Sequence, residues 1–229
     1  MNSFVLEVWG DYACFTRPET KVERFSYPVM TPSAARGILD AIYAKPLEFS
    51  WRVNKIEVLN PIKFIALRRN EVKDRIPIIN EAIMARGGEF ASIICDDTGN
   101  DQKGRTQRQT IALKDVRYRI HAYIKLRKGF EAKRKAIEEQ AERRISNGKC
   151  YYQPYFGCRE FVAYFEPAKC DIPAISEDLD IGFMLYDVFN LDNVIIDYAP
   201  SFISLFKAEL KNGILEVPEW NSGLVRKPV

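Results

Sequence analysis

Strict period-two alternation over residues 116–126 limits what this chain can fold into more than any other feature of its sequence. Val116, Tyr118, Ile120, Ala122, Ile124 and Leu126 alternate with Arg117, Arg119, His121, Tyr123 and Lys125. Successive side chains on a strand point to opposite faces, so the first set reads as the core side and the second as the outer side. A helix, with its period of about 3.6, cannot satisfy that pattern. The chain must therefore contain a sheet with one covered face.

The surrounding punctuation predicts an order of elements. Residues 3–9 read as a first strand, followed by an irregular Gly/Pro-broken segment to residue 30. Thr31-Pro32 supplies an N-cap and a proline at the first helical position, and Ala35, Ile38, Leu39 and Ile42 give the helix its apolar stripe. Lys45-Pro46 ends that helix just after Tyr43. Residues 51–59 and 62–67 read as strands broken at Asn60-Pro61. Residues 68–109 read as a long polar loop with a short helix over 80–84. A charged helix is expected over 131–145, closed by Asn147-Gly148 and buried through Phe130, Ile137, Ala141 and Ile145. Further strands are expected at 161–165 and 181–188, and Asn212-Gly213 marks a hairpin. The order is that of an α+β chain: a ferredoxin-like (RRM-like) domain over 1–168 and a small antiparallel β domain over 169–229.

Composition then removes whole classes of function. The chain has 229 residues, enough for a real core, and a formal net charge of only +3, too mild to announce nucleic acid by itself. His121 is the single histidine, which excludes a two-histidine acid–base pair and a multi-histidine metal site. The five cysteines are scattered without a CxxC pair, as free thiols of a reducing cytoplasm would be. No run is long and apolar enough for a bilayer, and residues 1–10 lack the features of a secretory leader, so a cytoplasmic protein without membrane contact is expected.

The outer row of residues 117–125 carries the chemistry. Five successive positions hold no acid but include the histidine and a tyrosine, a face that suits RNA, with rings stacking bases and cations pairing phosphates. The same pattern fits an ordinary solvated strand face, and a lone strand histidine fits a structural hydrogen-bonding role. RNA brings its own nucleophile: its 2′-hydroxyl attacks the neighbouring phosphate once a base, an acid and a cation are in place. Histidine, tyrosines and lysines make a sufficient set without metal or cofactor. The competing motifs are absent or weak. There is no GxGxxG or Walker sequence, and Asp96, Asp97, Asp178 and Asp180, which could serve a metal-dependent DNA nuclease, sit in loop-like sequence. A Cys158–His121 nucleophile pair has nothing to bring it together.

Several stretches resemble one family. They are residues 8–24 (VWGDYACFTRPETKVER), Ser26-Tyr27-Pro28, 32–39 (PSAARGIL), 41–46 (AIYAKP) and 157–161 (GCREF). They are similar to the RAMP-superfamily subunit of subtype I-C CRISPR systems, and the similarity runs through nearly the whole chain. The resemblance implies metal-independent cleavage of CRISPR repeat transcripts at the base of their hairpin. It also implies retention on the 5′ handle, within a complex of backbone, large and small subunits that engages target DNA. It implies a catalytic tyrosine before Lys-Pro, here Tyr43, and a strand lysine and histidine falling within residues 120–124. Here the histidine stands at His121, and Tyr123 occupies the place where a histidine is common. The expected catalytic set is Tyr43, Lys45, His121, Tyr123 and Lys125. The expected RNA-binding set is Arg17, Lys21, Arg24, Arg36, Arg117, Arg119 and Arg159. The rival reading is a non-catalytic subunit that caps the RNA handle.

Overall fold

A computed structural model describes residues 3–20, 22–73, 85–86, 104–169, 171–193 and 202–228. The strands are β1 (Ser3–Ala13), β2 (Arg24–Phe25), β3 (Phe49–Val58), β4 (Phe64–Val72), β5 (Arg105–Leu126), β6 (Tyr164–Pro167), β7 (Leu179–Asp187), β8 (Ser204–Lys211), β9 (Ile214–Glu216) and β10 (Val225–Arg226). The helices are α1 (Pro32–Ile42) and α2 (Arg134–Ser146), the latter entered through a 3-10 turn over Glu131–Lys133. The described fold is thus mostly antiparallel sheet with few helices.

β5 organises it. The alternation of residues 116–126 is realised as expected: the even-numbered residues from Val116 to Ile124 are all buried. β1 and β3 flank it antiparallel, setting Leu6 and Ile56 opposite Ile120, and Val8 and Val58 opposite Tyr118. Cross-strand partners share a face, so these rows form one apolar surface. Ile38, Leu39 and Ile42 of α1 and Ile137, Ala141 and Ile145 of α2 join the same core. Thr31 caps α1 by accepting from the Ala34 N–H at 3.2 Å.

The main path through the sheet is β10-β8-β9-β3-β5-β1-β6, with β2 and β4 also pairing β5 and β7 pairing β8. β9 hydrogen-bonds β3 through Ile56 and Leu215, so the C-terminal strands continue the sheet that begins at β1. The Asn212-Gly213 hairpin forms as expected, with both residues at positive φ (47° and 71°), the geometry of the primed turns that suit twisted strands.

Two expectations are corrected. Residues 64–72 and 105–113 pair as a long two-stranded ribbon, so both ends of the segment expected as loop are strand. Polar side chains such as Arg68, Asn70, Gln107 and Gln109 are exposed along it, and the half-buried positions between them hold Arg69, Glu71, Thr106 and Arg108, so the period-two hydrophobic signal is absent. The helix expected over 80–84 lies outside the described residues. The strand expected at 161–165 begins instead at Tyr164, because a turn closed by the Tyr155–Val162 bridge takes up the preceding residues.

Candidate nucleic-acid site

Lys45-Pro46 stops α1 and leaves Tyr43 as its C-cap, extended at φ −153° and ψ 114°. That conformation turns the ring out of the helix and onto Phe49, at a centroid distance of 5.2 Å. Trp51 Nε1 donates to the Tyr43 carbonyl at 2.7 Å, locking the cap to β3. Arg144, from the last turn of α2, donates to the Ile42 carbonyl at 3.2 Å. Its guanidinium lies 5.7 Å from the Tyr43 ring and 4.1 Å from that of Tyr151. The Tyr43 ring is 3% exposed, and its hydroxyl bonds to none of the described residues. Burial pushes its pKa up, partly opposed by Lys45. The phenol therefore keeps its proton at neutral pH and is able to donate a hydrogen bond. Lys45 is raised in turn, chiefly by Tyr43, and its ammonium reaches Glu48 at 3.4 Å. Lys45 lines a cleft of about 250 Å³ that shares Ser50 and Arg127 with a second cleft of about 490 Å³ containing Lys125.

The row of β5 expected on the outside lies on the opposite face. Phe49, on which Tyr43 packs, stands across from Leu126, whereas His121 stands across from Lys55. Even and odd residues of β5 point to opposite sides, so the structure does not bring Tyr43 and His121 together. The expected catalytic set is thereby corrected, since its Tyr43 and His121 do not meet at one site.

Nor is the row an open surface. The row has no acid of its own, but its neighbours supply them. Arg117 donates twice to Glu7 Oε2, at 3.0 and 2.7 Å, and once to Glu166 at 3.3 Å. Arg119, expected outside, is 7% exposed. It reaches Glu7 at 2.8 Å, Glu57 at 2.7 Å, and the carbonyls of Lys169 and Ile172 at 2.8 and 2.9 Å. His121 Nε2 lies 2.8 Å from Glu57 Oε1, which Lys55 also holds at 2.9 Å. Burial lowers the His121 pKa, Lys55 adds to this, and Glu57 opposes both. Burial would raise Glu7 and Glu57, but the hydrogen bonds of Arg119 and Arg117 to the first, and of Lys55 and Arg119 to the second, hold both below the usual range. Tyr123 stands opposite the buried Arg52, and burial pushes its phenol up.

The remaining expected contacts divide. Arg36, with 13% of its side chain exposed, braces α1 to β7 through Asp187 at 2.6 Å and also bonds Asp40. Arg17 stacks over Tyr27 at 4.6 Å, and Arg24 lies 3.8 Å from Glu71 and 3.5 Å from Glu160. Arg159 is exposed. Lys21, Asp96 and Asp97 lie outside the described residues. Asp178 and Asp180 accept backbone N–H bonds from Asn212 and Gly182, holding turns. Among the described residues, no group of three or more His, Cys, Asp or Glu side chains is arranged to hold a metal ion, and no helix is long and apolar enough to cross a membrane.

A family model described as CRISPR-associated protein Cas5 (Cas5d) matches residues 3–218. The chain is 41% identical over 239 residues to a Mannheimia succiniciproducens protein named CRISPR pre-crRNA endoribonuclease Cas5d, covering 99% of each. This chain belongs to the Cas5d family. A Thermus thermophilus protein of the same name is 40% identical over 233 residues, covering 95% of this chain and 92% of the relative. Two solved structures share the Cas5d chain's fold. One, a CRISPR-associated protein, has a TM-score of 0.64 at 20% identity, covering 98% of this chain and 96% of its own. The other, a functionally uncharacterized Streptococcus mutans protein, has a TM-score of 0.62 at 22% identity, covering 98% and 97%.

Sequence reasoning missed Arg144, Tyr151, Glu7 and Glu57 in this Cas5d chain. The two glutamates carried a signal: an acid inside an otherwise apolar strand, beside a basic row, is a cross-strand partner. Arg144 and Tyr151 meet Tyr43 only through the packing of α2 on α1, which no local pattern announces.

Proposed function

We propose that this Cas5d-family chain is a metal-independent endoribonuclease that cuts CRISPR repeat precursor RNA at its hairpin and stays on the 5′ handle. The observation that carries this reading is the 40–41% identity, over nearly the whole chain, to two relatives named for that activity. The 2′-oxygen attacks the adjacent phosphorus as its proton passes to solvent, the bond to the 5′-oxygen breaks as that oxygen takes up a proton, and a 2′,3′-cyclic phosphate and a 5′-hydroxyl result. We assign the hydrogen bond at the reacting ribose-phosphate to the protonated Tyr43 phenol. The phosphate charge goes to Lys45, while Lys125, on the His121 face of β5, lines the adjoining cleft. Arg117, Arg119 and His121 are assigned to holding the sheet, with Tyr123 beside them on that face. Arg159 is assigned to the RNA flanks, and Arg17 and Arg24 to the same surface in part. The further expectations stand as parts of this proposal: type I-C subunits and target DNA as partners, and a cytoplasmic location.

The strand order β3-β5-β1-β6, with α1 after β1 and α2 after β5, supports a ferredoxin-like unit over 1–168, with 169–229 as its β extension. The separation of Tyr43 from His121 favours a second reading, a subunit that caps the handle without cutting it. Incubating the protein with the repeat RNA of its own locus in EDTA separates the two. The nuclease reading expects a cyclic phosphate product and no cleavage when the single 2′-hydroxyl at the cut is replaced by hydrogen. Binding without turnover supports the cap, and cleavage of the deoxy substrate overturns the mechanism.

A further inference from the structure

Beyond the turn that closes α2, Tyr151 and Tyr152 present two rings to solvent, each 53% exposed. Tyr151 is not a loose surface residue. Its N–H donates to the Ala41 carbonyl at 2.7 Å, tying the segment to the end of α1. Its ring stands 6.4 Å from that of Tyr43 with an interplanar angle of 28°. The Arg144 guanidinium, 4.1 Å from the Tyr151 ring, makes no salt bridge to any described residue. A half-exposed ring, fixed by its backbone and flanked by a cation without a carboxylate, is suited to stacking an unpaired base while the cation faces phosphate. Its near-parallel neighbour is the buried phenol at the proposed reaction centre.

We propose that Tyr151 stacks the unpaired base on the 5′ side of the cut, the nucleotide whose 3′-phosphate meets Tyr43. This rests on the endoribonuclease reading and adds to it the part of the substrate that the site grips. Every base has a π face, so the site requires an unstacked base at that position more than a particular one.

The test is single-turnover cleavage of the locus repeat RNA by the full chain, comparing wild type with Tyr151→Ala, Tyr151→Phe and Tyr151→Trp. Each protein is given intact RNA and RNA with one abasic nucleotide 5′ to the cut. On intact RNA, Tyr151→Ala is expected to lose roughly ten- to hundredfold in kcat/KM, the scale of one stacked base, while Phe and Trp stay near wild type. On abasic RNA, wild type slows by a similar factor and Tyr151→Ala loses nothing more. A Tyr151→Ala rate equal to wild type on intact RNA, or an equal further loss on abasic RNA, overturns the platform. Failure of wild type to cut intact RNA overturns the nuclease reading and the platform with it. Cutting by wild type with an indifferent Tyr151→Ala removes the platform alone.

Discussion

Replacing Arg119 by alanine separates two descriptions of β5. If its outer row were an open RNA surface, Arg119→Ala would leave the fold intact and lower the salt slope of binding by about one unit. The structure assigns it a different role. Arg119 holds Glu7, Glu57 and two backbone carbonyls, and Glu7 is wholly buried. Deleting the guanidinium leaves Oε1 of the buried Glu7 without its partner and takes one from Oε2 of Glu57. Breaking a buried pair from one side costs about 3–5 kcal/mol. At about 2–4 °C per kcal/mol for a chain of this size, the melting temperature should fall by roughly 6–20 °C. Thermal unfolding followed by circular dichroism reads that shift, and filter binding at several salt concentrations reads the other. A melting temperature within a degree or two of wild type, with a lower salt slope, would refute the buried-network account.

The same network gives stability a pH dependence. Lowered pKa values for His121, Glu7 and Glu57 mean that the unfolded chain binds protons more readily than the folded one. Stability should therefore be full above the ordinary histidine range and decline as pH falls, first through His121 and then through the carboxylates. His121→Gln should remove the upper part of that decline in melting experiments run from pH 7.5 downward, and an unaltered profile would detach His121 from it. Gly213 has φ 71°, and a Cβ there would run into the Ile175 backbone oxygen; Gly213→Val should cost about 1–3 kcal/mol in urea unfolding, and no loss would contradict the turn. Lys45→Ala should weaken binding of an uncut 2′-deoxy repeat RNA and reduce its salt slope by about one unit, and an unchanged slope would move Lys45 off the phosphate.

The sequence made the covered side of the sheet legible because one buried face imposes period two, which Val116, Tyr118, Ile120, Ala122 and Ile124 obey. The start of α1 was legible for a local reason: Thr31 and Pro32 act within a single turn. The outer face was misread because strand alternation reports which residues share a side, not what covers that side. Glu7 and Glu57 come from strands lying beside β5 in space but 110 and more than 60 residues away in sequence. The outer β4–β5 ribbon was hidden for another reason, since its half-buried positions over 68–72 and 105–109 hold Arg69, Glu71, Thr106 and Arg108 in place of apolar residues. The helix stop made the position of Tyr43 and Lys45 at the end of α1 legible, and the family resemblance makes them candidates. Arg144 and Tyr151 join them only through helix packing.

The most direct test of the central claim, that Tyr43 donates the hydrogen bond at the reacting phosphate, is the single-turnover cleavage rate of repeat RNA in EDTA by Tyr43→Phe. Its hydroxyl bonds no described residue, so this variant should melt with the wild type. The rate should nevertheless fall about 10²- to 10³-fold, the scale of one preorganised hydrogen-bond donor. Cleavage at the wild-type rate would show that the chemistry lies elsewhere on the molecule.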